Sequence, residues 1–196
     1  MRIENISEYR RGSFPQPYTD SSFYGGNESM PFVQVADLND NTFYLNTQTQ
    51  KTISKKAQPY SVFVNKGTVV VTLQGTIGRV AITQYDSYID RTLAIFEKID
   101  ENLNKKYFAY QLKNIFNLKK QYARGSTIKT ITKEEFSDFK IPIPPLEVQE
   151  EIVNILDKFE EYINSIESGL KGEIEARHQQ YKYYRDKLLT FDRKIV

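Results

Sequence analysis

Residues 139–191 begin FKIPIPPLEVQEEIVNILDKFEEY and run on to YYRDKLLTF, and their reading decides how the chain is organised. From Ile141 to Leu146 apolar residues alternate with Pro142, Pro144 and Pro145, which can neither donate a ladder hydrogen bond nor sit inside a helix. Each residue before a proline is pushed to extended geometry, so residues 141–146 read as a stiff, proline-rich connector. Glu147, Glu150 and Glu151 then mark a first helical turn, where the helix dipole favours carboxylates. Apolar residues follow at Ile152, Leu156, Phe159, Ile163, Ile166 and Leu170, in steps of four and three that define a coiled-coil seam. A step of four to Ile174 shifts the phase as a stutter does, and Tyr181, Tyr184 and Leu188 resume the stripe. If helical throughout, Glu147 to Leu189 is about 65 Å long at 1.5 Å per residue. Gly169 and Gly172 weaken its middle by about 1 kcal/mol each relative to alanine. A helix of that length with one apolar stripe needs a partner helix, since a solvated tail would leave the stripe exposed.

Outward from this helix, composition bounds the rest. The 196 residues suffice for one ordinary domain plus an appendage. Hydrophobic content of 39% with 27% charged residues describes a soluble globular protein. No apolar run approaches a membrane span, and MRIENISEYRR lacks the apolar stretch of a signal peptide. The chain has no cysteine, which excludes disulfides and thiolate metal sites and fits a cytoplasmic location. Its single histidine, His178, excludes multi-histidine metal sites, and its place in the long helix argues against histidine-based catalysis. Residues 1–140 carry 19 Lys/Arg against 14 Asp/Glu, whereas residues 141–196 carry 8 against 11. The N-terminal part is therefore the half suited to a polyanion.

Along residues 1–140 the pattern is β-rich. Ile3–Arg11 reads as an entry strand or turn, and Phe14–Ser29 as a long loop of Pro, Gly, Ser, Asn and aromatics. Phe32–Val35 alternates as a strand, Asp37–Asn41 is a turn cluster, and residues 42–52 are polar with β-prone residues. Residues 60–64 and 68–73, joined by Asn65-Lys66-Gly67, look like two strands of one sheet. Gln74–Arg79 interrupts that sheet before Val80–Thr83 resumes it, and Ile89–Phe96 reads as one further strand. Lys106–Lys120 is an amphipathic helix, and Thr132–Phe136 has a capping-box form. The expected fold is α+β: a β-rich mixed domain followed by one long C-terminal coiled-coil helix.

Several residues carry polyanion chemistry. Arg124, Ser126, Thr127 and Lys129 combine cations with short hydroxyls, which suits phosphates and, for Arg and Lys, guanine edges. Arg10, Arg11 and Ser13 follow the same logic. Gln34, Asn39, Gln74 and Arg79 sit at strand ends or turns, where side chains reach base edges yet also serve as ordinary surface. The Gly75–Gly78 turn, with Thr76 at its tip, lets backbone N–H groups approach a phosphate, and equally is a tight turn between strands. It is no P-loop, because Gly-Lys-Ser/Thr is missing, and no dinucleotide fingerprint, because the third glycine is missing. The 14 tyrosines and 12 phenylalanines mostly fall in hydrophobic patterns and read as core rather than stacking platforms. There is no Asn/Asp-Pro-Pro-aromatic methylation motif. Asp138-Phe139-Lys140 is the nearest approach to a metal nuclease, and no well-spaced upstream acid supports it.

The run IPIPPLEVQEEIVNILDKFEEYI, closed by YYRDKLLTF, resembles the conserved helical region of the DNA-specificity subunits of type I restriction–modification systems. Arg11-Gly12-Ser13, MPFVQVADL, VNKGTVVVTLQGTIGRVAI and YARGSTIKTITKEEF fall in the order of that family's target-recognition domain, so the resemblance covers essentially the whole chain. It implies a target-recognition domain over residues 1–140, reading one half of a split double-stranded DNA target. The helix over residues 147–191 would space the halves and dock methyltransferase subunits, and through them restriction and translocase subunits. Full-length members carry two recognition domains and two helical regions, and here there is one of each. The resemblance therefore implies pairing with a second copy or with another specificity chain. It also implies a non-catalytic chain without a cofactor of its own, S-adenosylmethionine and ATP belonging to partner subunits. Two other readings stay open on the residues: a fragment of a fused restriction–methylation enzyme, and a coiled-coil scaffold that never touches DNA.

Overall fold

The computed structural model describes residues 1–39, 42–122 and 136–189. The chain divides into two compact units, Met1–Val153 and Asn154–Val196.

In the first unit, the β-prone segments form β1 (Ser7–Arg11), β2 (Met30–Val33), β3 (Lys51–Ile53), β4 (Val62–Val64), β5 (Val69–Thr72), β6 (Val80–Ile82), β7 (Ser87–Ile89) and β8 (Leu93–Ile99). They make two four-stranded sheets, ordered β1-β8-β5-β6 and β3-β2-β7-β4. The first sheet is antiparallel throughout, whereas β2 and β7 run parallel in the second. Helix α1 (Lys105–Tyr122) follows, its first turn capped by Asn104 Oδ1, which accepts from the N–H groups of Lys106 at 2.9 Å and Tyr107 at 3.1 Å.

Apolar alternation assigns each strand's side chains to layers. Val69, Val71, Ala94 and Phe96 face α1 and pack with Tyr107, Phe108, Leu112 and Phe116. Their neighbours Val70, Leu93 and Ile95 point the other way, meeting Val33, Val64 and Ile89 of the second sheet. Because β5 is buried on both faces, VVVT reads as a continuous apolar run rather than an alternation. A third layer lies on the far side of the second sheet, where Phe14, Phe32, Ile53 and Ala57 collect the aromatics of the long 14–29 loop.

Two sequence expectations differ from the structure. Residues 60–64 and 68–73 are not neighbours in one sheet: β4 pairs with β7 in the second sheet, while β5 lies between β6 and β8 in the first. Their connection crosses between sheets at Gly67, whose φ of +82° is available to glycine. The apparent strand Ile89–Phe96 is also two strands, β7 and β8, one in each sheet. Asp90 breaks it: its carboxylate accepts from the N–H and hydroxyl of Thr92, and its carbonyl accepts from the Leu93 N–H. Apolar periodicity registers neither crossing, because residues on both sides of the break are buried. The Thr132–Phe136 capping box lies outside the described residues apart from Phe136, which is buried in the α1 layer.

Helix α2 spans Leu146–Leu189, 44 residues. The proline segment ahead of it lies along the first unit: the Ile141 N–H donates to the Met1 carbonyl at 2.8 Å, and the Tyr107 hydroxyl donates to the Pro142 carbonyl at 3.0 Å. Gln149 in the first turn of α2 is fully buried. Its Oε1 accepts from the Asn104 N–H at 2.9 Å, and its Nε2 donates to the carbonyls of Asn102 and Pro144, both at 2.8 Å. The Leu-Glu-x-Gln step thus ties α2 to the cap of α1. Ile152, which spacing assigns to the seam, instead packs with buried Val153 against the α1 layer. From Leu156 to Ile174 the stripe is exposed, with Phe159 at 61% and Ile166 at 67%. The side chains of Tyr181 and Leu188 lie outside the described residues.

Candidate DNA interface

The strand directions bring the predicted site residues of the first unit to one end of the two sheets. Arg11 of β1 lies opposite Ala94 at the start of β8, and Thr72 at the end of β5 lies opposite Leu93. In the second sheet the ends of β2 and β7 meet at Val33 and Ile89. Loops 12–28, 34–50, 73–79 and 90–92 therefore leave from the same end. Gln34, Gln74, Thr76 and Arg79 lie in them or at their borders, beside Arg11 and Ser13. Arg124, Ser126, Thr127 and Lys129 lie outside the described residues, as do Asp40 and Asn41 of the turn cluster.

Backbone contacts fasten these loops together. Gly12 N–H donates to the Leu93 carbonyl in the first sheet, and Ser13 N–H donates to the Ile89 carbonyl in the second, both at 3.1 Å. A Cβ on Gly12 would sit 2.2 Å from the Ile89 carbonyl oxygen, so only glycine fits this crossing. Gly78, with φ +81°, leaves no room for a Cβ either, since the Phe116 ring carbon would lie 2.6 Å away. With Ile77 buried, the glycine turn is anchored by packing, and its exposed tip is Gly75-Thr76. The Leu73 N–H donates to the Thr92 carbonyl at 2.9 Å, joining this turn to the 90–92 loop.

The individual side chains differ in what they are free to do. Arg79 is half-buried, and its guanidinium donates to the carbonyls of Val35 at 3.5 Å and Leu38 at 3.3 Å, so it braces the 35–38 turn. Gln34 uses its N–H to reach Asp37 Oδ2 at 2.8 Å. Buried Asp37 also accepts from the Gln50 N–H at 2.8 Å, tying together both ends of the 34–50 loop. Burial raises the Asp37 carboxyl above the ordinary range, against the lowering effect of those two N–H bonds. Arg10 pairs with Glu97 on the neighbouring strand, and the Ser13 hydroxyl donates to the Tyr60 carbonyl at 3.0 Å. Arg11, Gly75 and Thr76 are exposed, and Gln74 is half-buried.

Sequence reasoning missed a second group of cations beside these loops. The Arg91 guanidinium lies over the Tyr18 ring at 5.0 Å, Lys51 Nζ over Tyr24 at 4.7 Å, and Lys56 Nζ over Phe23 at 5.1 Å. The Tyr18 hydroxyl donates to Asp90 Oδ2 at 2.7 Å, and burial together with that bond pushes its pKa up. Arg91 was hidden inside what reads as a single strand. Lys51 and Lys56 flank a short strand in a polar stretch, with no local signal of the rings beneath them. At the other end of the first sheet, Glu4, Glu8, Asp100 and Glu101 line a cleft with Lys98, which is paired with Glu8 at 2.8 Å. The carboxylates of this cleft disfavour a polyanion at that end. Among the described residues, no group of three or more His, Asp or Glu could hold a metal ion, and no helix is long and apolar enough to cross a membrane.

A putative type I restriction enzyme specificity subunit, S.HindORF215P of Haemophilus influenzae, is 38% identical over 135 residues, 68% of this chain and 34% of that protein. The EcoprrI specificity subunit of Escherichia coli is 26% identical over 201 residues, 97% of this chain and 49% of its own length. The chain thus spans half or less of the curated relatives it matches here. The crystal structure of the HsdS subunit from Thermoanaerobacter tengcongensis superposes with a TM-score of 0.62 at 24% identity, covering 84% of this chain and 38% of that one, a likeness of fold. The model of the type I restriction modification DNA specificity domain matches residues 1–176, and the chain belongs to that family.

Proposed function

We propose that this chain is a non-catalytic recognition component of a type I restriction–modification system, reading one half of a bipartite DNA target. The observation that carries this reading is the convergence of loops 12–28, 34–50, 73–79 and 90–92 at one end of the two sheets. Gln74 and Thr76 are the base readers we favour, because their turn is held by buried Ile77 and Gly78 while its tip is open. Arg11 contacts a phosphate, as the Arg124–Lys129 loop does in this reading. Arg79 and Gln34 act one step back, by shaping the 35–38 turn.

The seam of Leu156, Phe159, Ile163, Ile166, Leu170 and Ile174 takes an equivalent helix, from a second copy of this chain or from another specificity chain. Antiparallel pairing sends the two recognition units to separate DNA segments and presents a surface for methyltransferase subunits, and through them restriction and translocase subunits. A two-fold pair matches an inverted repeat split by a non-contacted gap. The test is the methylome of cells carrying this chain with its methyltransferase. A palindromic interrupted site supports self-pairing, and an asymmetric one supports a different specificity chain. The methylome of Gln74→Ala or Thr76→Ala should show relaxed discrimination at one position, worth about 1–3 kcal/mol. Unchanged site preference in both variants would remove this turn from base reading.

A further inference from the structure

Phe14 is buried at the centre of an aromatic cluster, its ring 5.0 Å from that of Tyr18, 5.9 Å from Phe23, 5.1 Å from Tyr24 and 4.7 Å from Phe32. Three of those four neighbouring rings carry a cation on their outer side: Arg91 on Tyr18, Lys56 on Phe23 and Lys51 on Tyr24. Hydrogen bonds fix the rings in turn. The Tyr18 hydroxyl donates to Asp90, and the Tyr24 hydroxyl donates to the Tyr18 carbonyl at 3.0 Å. Lys56 Nζ also donates to Ser22 Oγ at 2.8 Å. All three cations belong to exposed residues. A ring beneath a flexible side chain limits its conformations without neutralising its charge.

The carboxylates nearby offset this charge only in part, since hydrogen bonds from neutral groups leave Asp90 and Asp20 ionised against three cations. Asp90 is buried and engaged by Tyr18 and Thr92, and Glu28 is paired with Lys55. Asp20 is engaged by Ser22, its carboxyl held below the ordinary range chiefly by that contact and, to a lesser extent, by the Lys56 charge, which it partly offsets. The group also adjoins the candidate interface. Arg91 precedes Thr92, whose carbonyl binds the glycine turn, and Lys51 follows Gln50, whose N–H binds Asp37. From there it runs back along the outer side of the second sheet to Lys56.

We propose that Arg91, Lys51 and Lys56 form a preorganised plate for duplex DNA phosphates, extending the interface beyond the loop tips and contributing affinity without sequence information. The inference rests on the proposed recognition function and adds to it a division of labour. The loop end reads bases, and the aromatic-backed plate holds the backbone in register.

The test is binding of the full chain to labelled target and non-target duplexes by fluorescence anisotropy, across about 50 to 200 mM salt. The triple variant Lys51→Ala, Lys56→Ala, Arg91→Ala should weaken binding to both duplexes by the same factor. Its log–log salt slope should fall by about 1 for each cation removed. The charge-conserving variant Lys51→Arg, Lys56→Arg, Arg91→Lys should keep the wild-type slope, which separates lost charge from lost packing. An unchanged slope in the alanine variant, while Gln74→Ala still alters target discrimination, overturns the plate and leaves the recognition reading standing. An unchanged slope with lost association to methyltransferase subunits reassigns the patch to an acidic protein surface and also overturns it. Loss of binding to the target alone would make these residues base readers, contrary to the proposal. If the wild-type chain binds neither duplex, the recognition reading falls together with the plate.

Discussion

The two units treat their apolar residues in opposite ways. In Met1–Val153 the large side chains are spent inward: Phe32, Phe96, Phe108 and Phe116 are almost fully buried, and each belongs to a packed layer. In Asn154–Val196 the apolar residues fall in a regular pattern too, yet Phe159, Ile163, Ile166 and Leu170 are each more than half exposed. The same sequence signal, hydrophobic periodicity, thus marks a packed core in one region and, among the described residues of the other, an exposed stripe. What differs is the company. The first unit supplies two sheets and a helix to cover one another, whereas the described part of the second is one helix.

The strongest way to break this comparison is to charge the stripe. Ile163→Lys with Ile166→Lys should abolish association through α2, because a packed seam cannot hold two unpaired ammonium groups. The unfolding midpoint of the first unit should not move. Light scattering reports the first result and urea denaturation the second. Intact assemblies would show that the stripe is not an interface.

Truncating the finished core comes next. Phe96 packs its ring against Tyr9, Phe108 and Phe136, and Phe96→Ala should cost about 3–5 kcal/mol, read by urea denaturation with tyrosine emission. Phe159→Ala in the free chain should change that value by less than about 0.5 kcal/mol, as exposed sites generally do. Similar costs for the two would erase the distinction between the units.

Gln149 tests how the start of α2 is held within the first unit. Gln149→Leu removes three partly buried hydrogen bonds and leaves the Asn104 N–H and the Asn102 and Pro144 carbonyls without this partner. The expected loss is about 1–3 kcal/mol per orphaned buried group, reduced where water reaches it. Amide exchange should quicken at the start of α1, and unchanged protection there would show that Asn104 caps α1 without this support.

The smallest effect sharpens the helix itself. A Cβ at Gly169 or Gly172 meets nothing within 4 Å in this chain, so each glycine-to-alanine change should stabilise the free helix by about 1 kcal/mol. If the helices cross closely at these glycines, the same changes should weaken pairing. Tighter helices with undiminished pairing would place the crossing elsewhere.

Much of this was legible before the structure. The proline segment, the first turn at Glu147 and the apolar steps from Leu156 onward named the long helix, because 3.6-residue periodicity and proline stereochemistry are local. The amphipathic run at 106–120 named α1 in the same way. The candidate site was legible only in part. Gln74, Thr76 and Arg11 stand out as polar residues at strand ends, but their shared location depends on strand directions that no single segment encodes. Arg79 stands at a strand end or turn in the sequence, and only the structure shows its guanidinium donating to the Val35 and Leu38 carbonyls. Arg91 was lost inside an apolar run that only the Asp90 turn divides.

By itself, then, the sequence determined what is written within a few turns of chain: element type, the stiff connector, the exposed stripe, and a pattern of segments resembling one family. Only the tertiary structure decided which sheet each strand joins, which loops meet, and which rings lie under which cations. The physical reason is range. Dihedral preference and amphipathic period act between residues close in sequence, whereas sheet membership and cation–ring contacts join Arg10 to Glu97 and Tyr18 to Arg91, partners 87 residues apart in the first case and 73 in the second, 91 less 18. The Gly12 crossing belongs to both levels. Its identity is written in the chain, and its necessity appears only where the Ile89 carbonyl stands 2.2 Å from the Cβ it lacks.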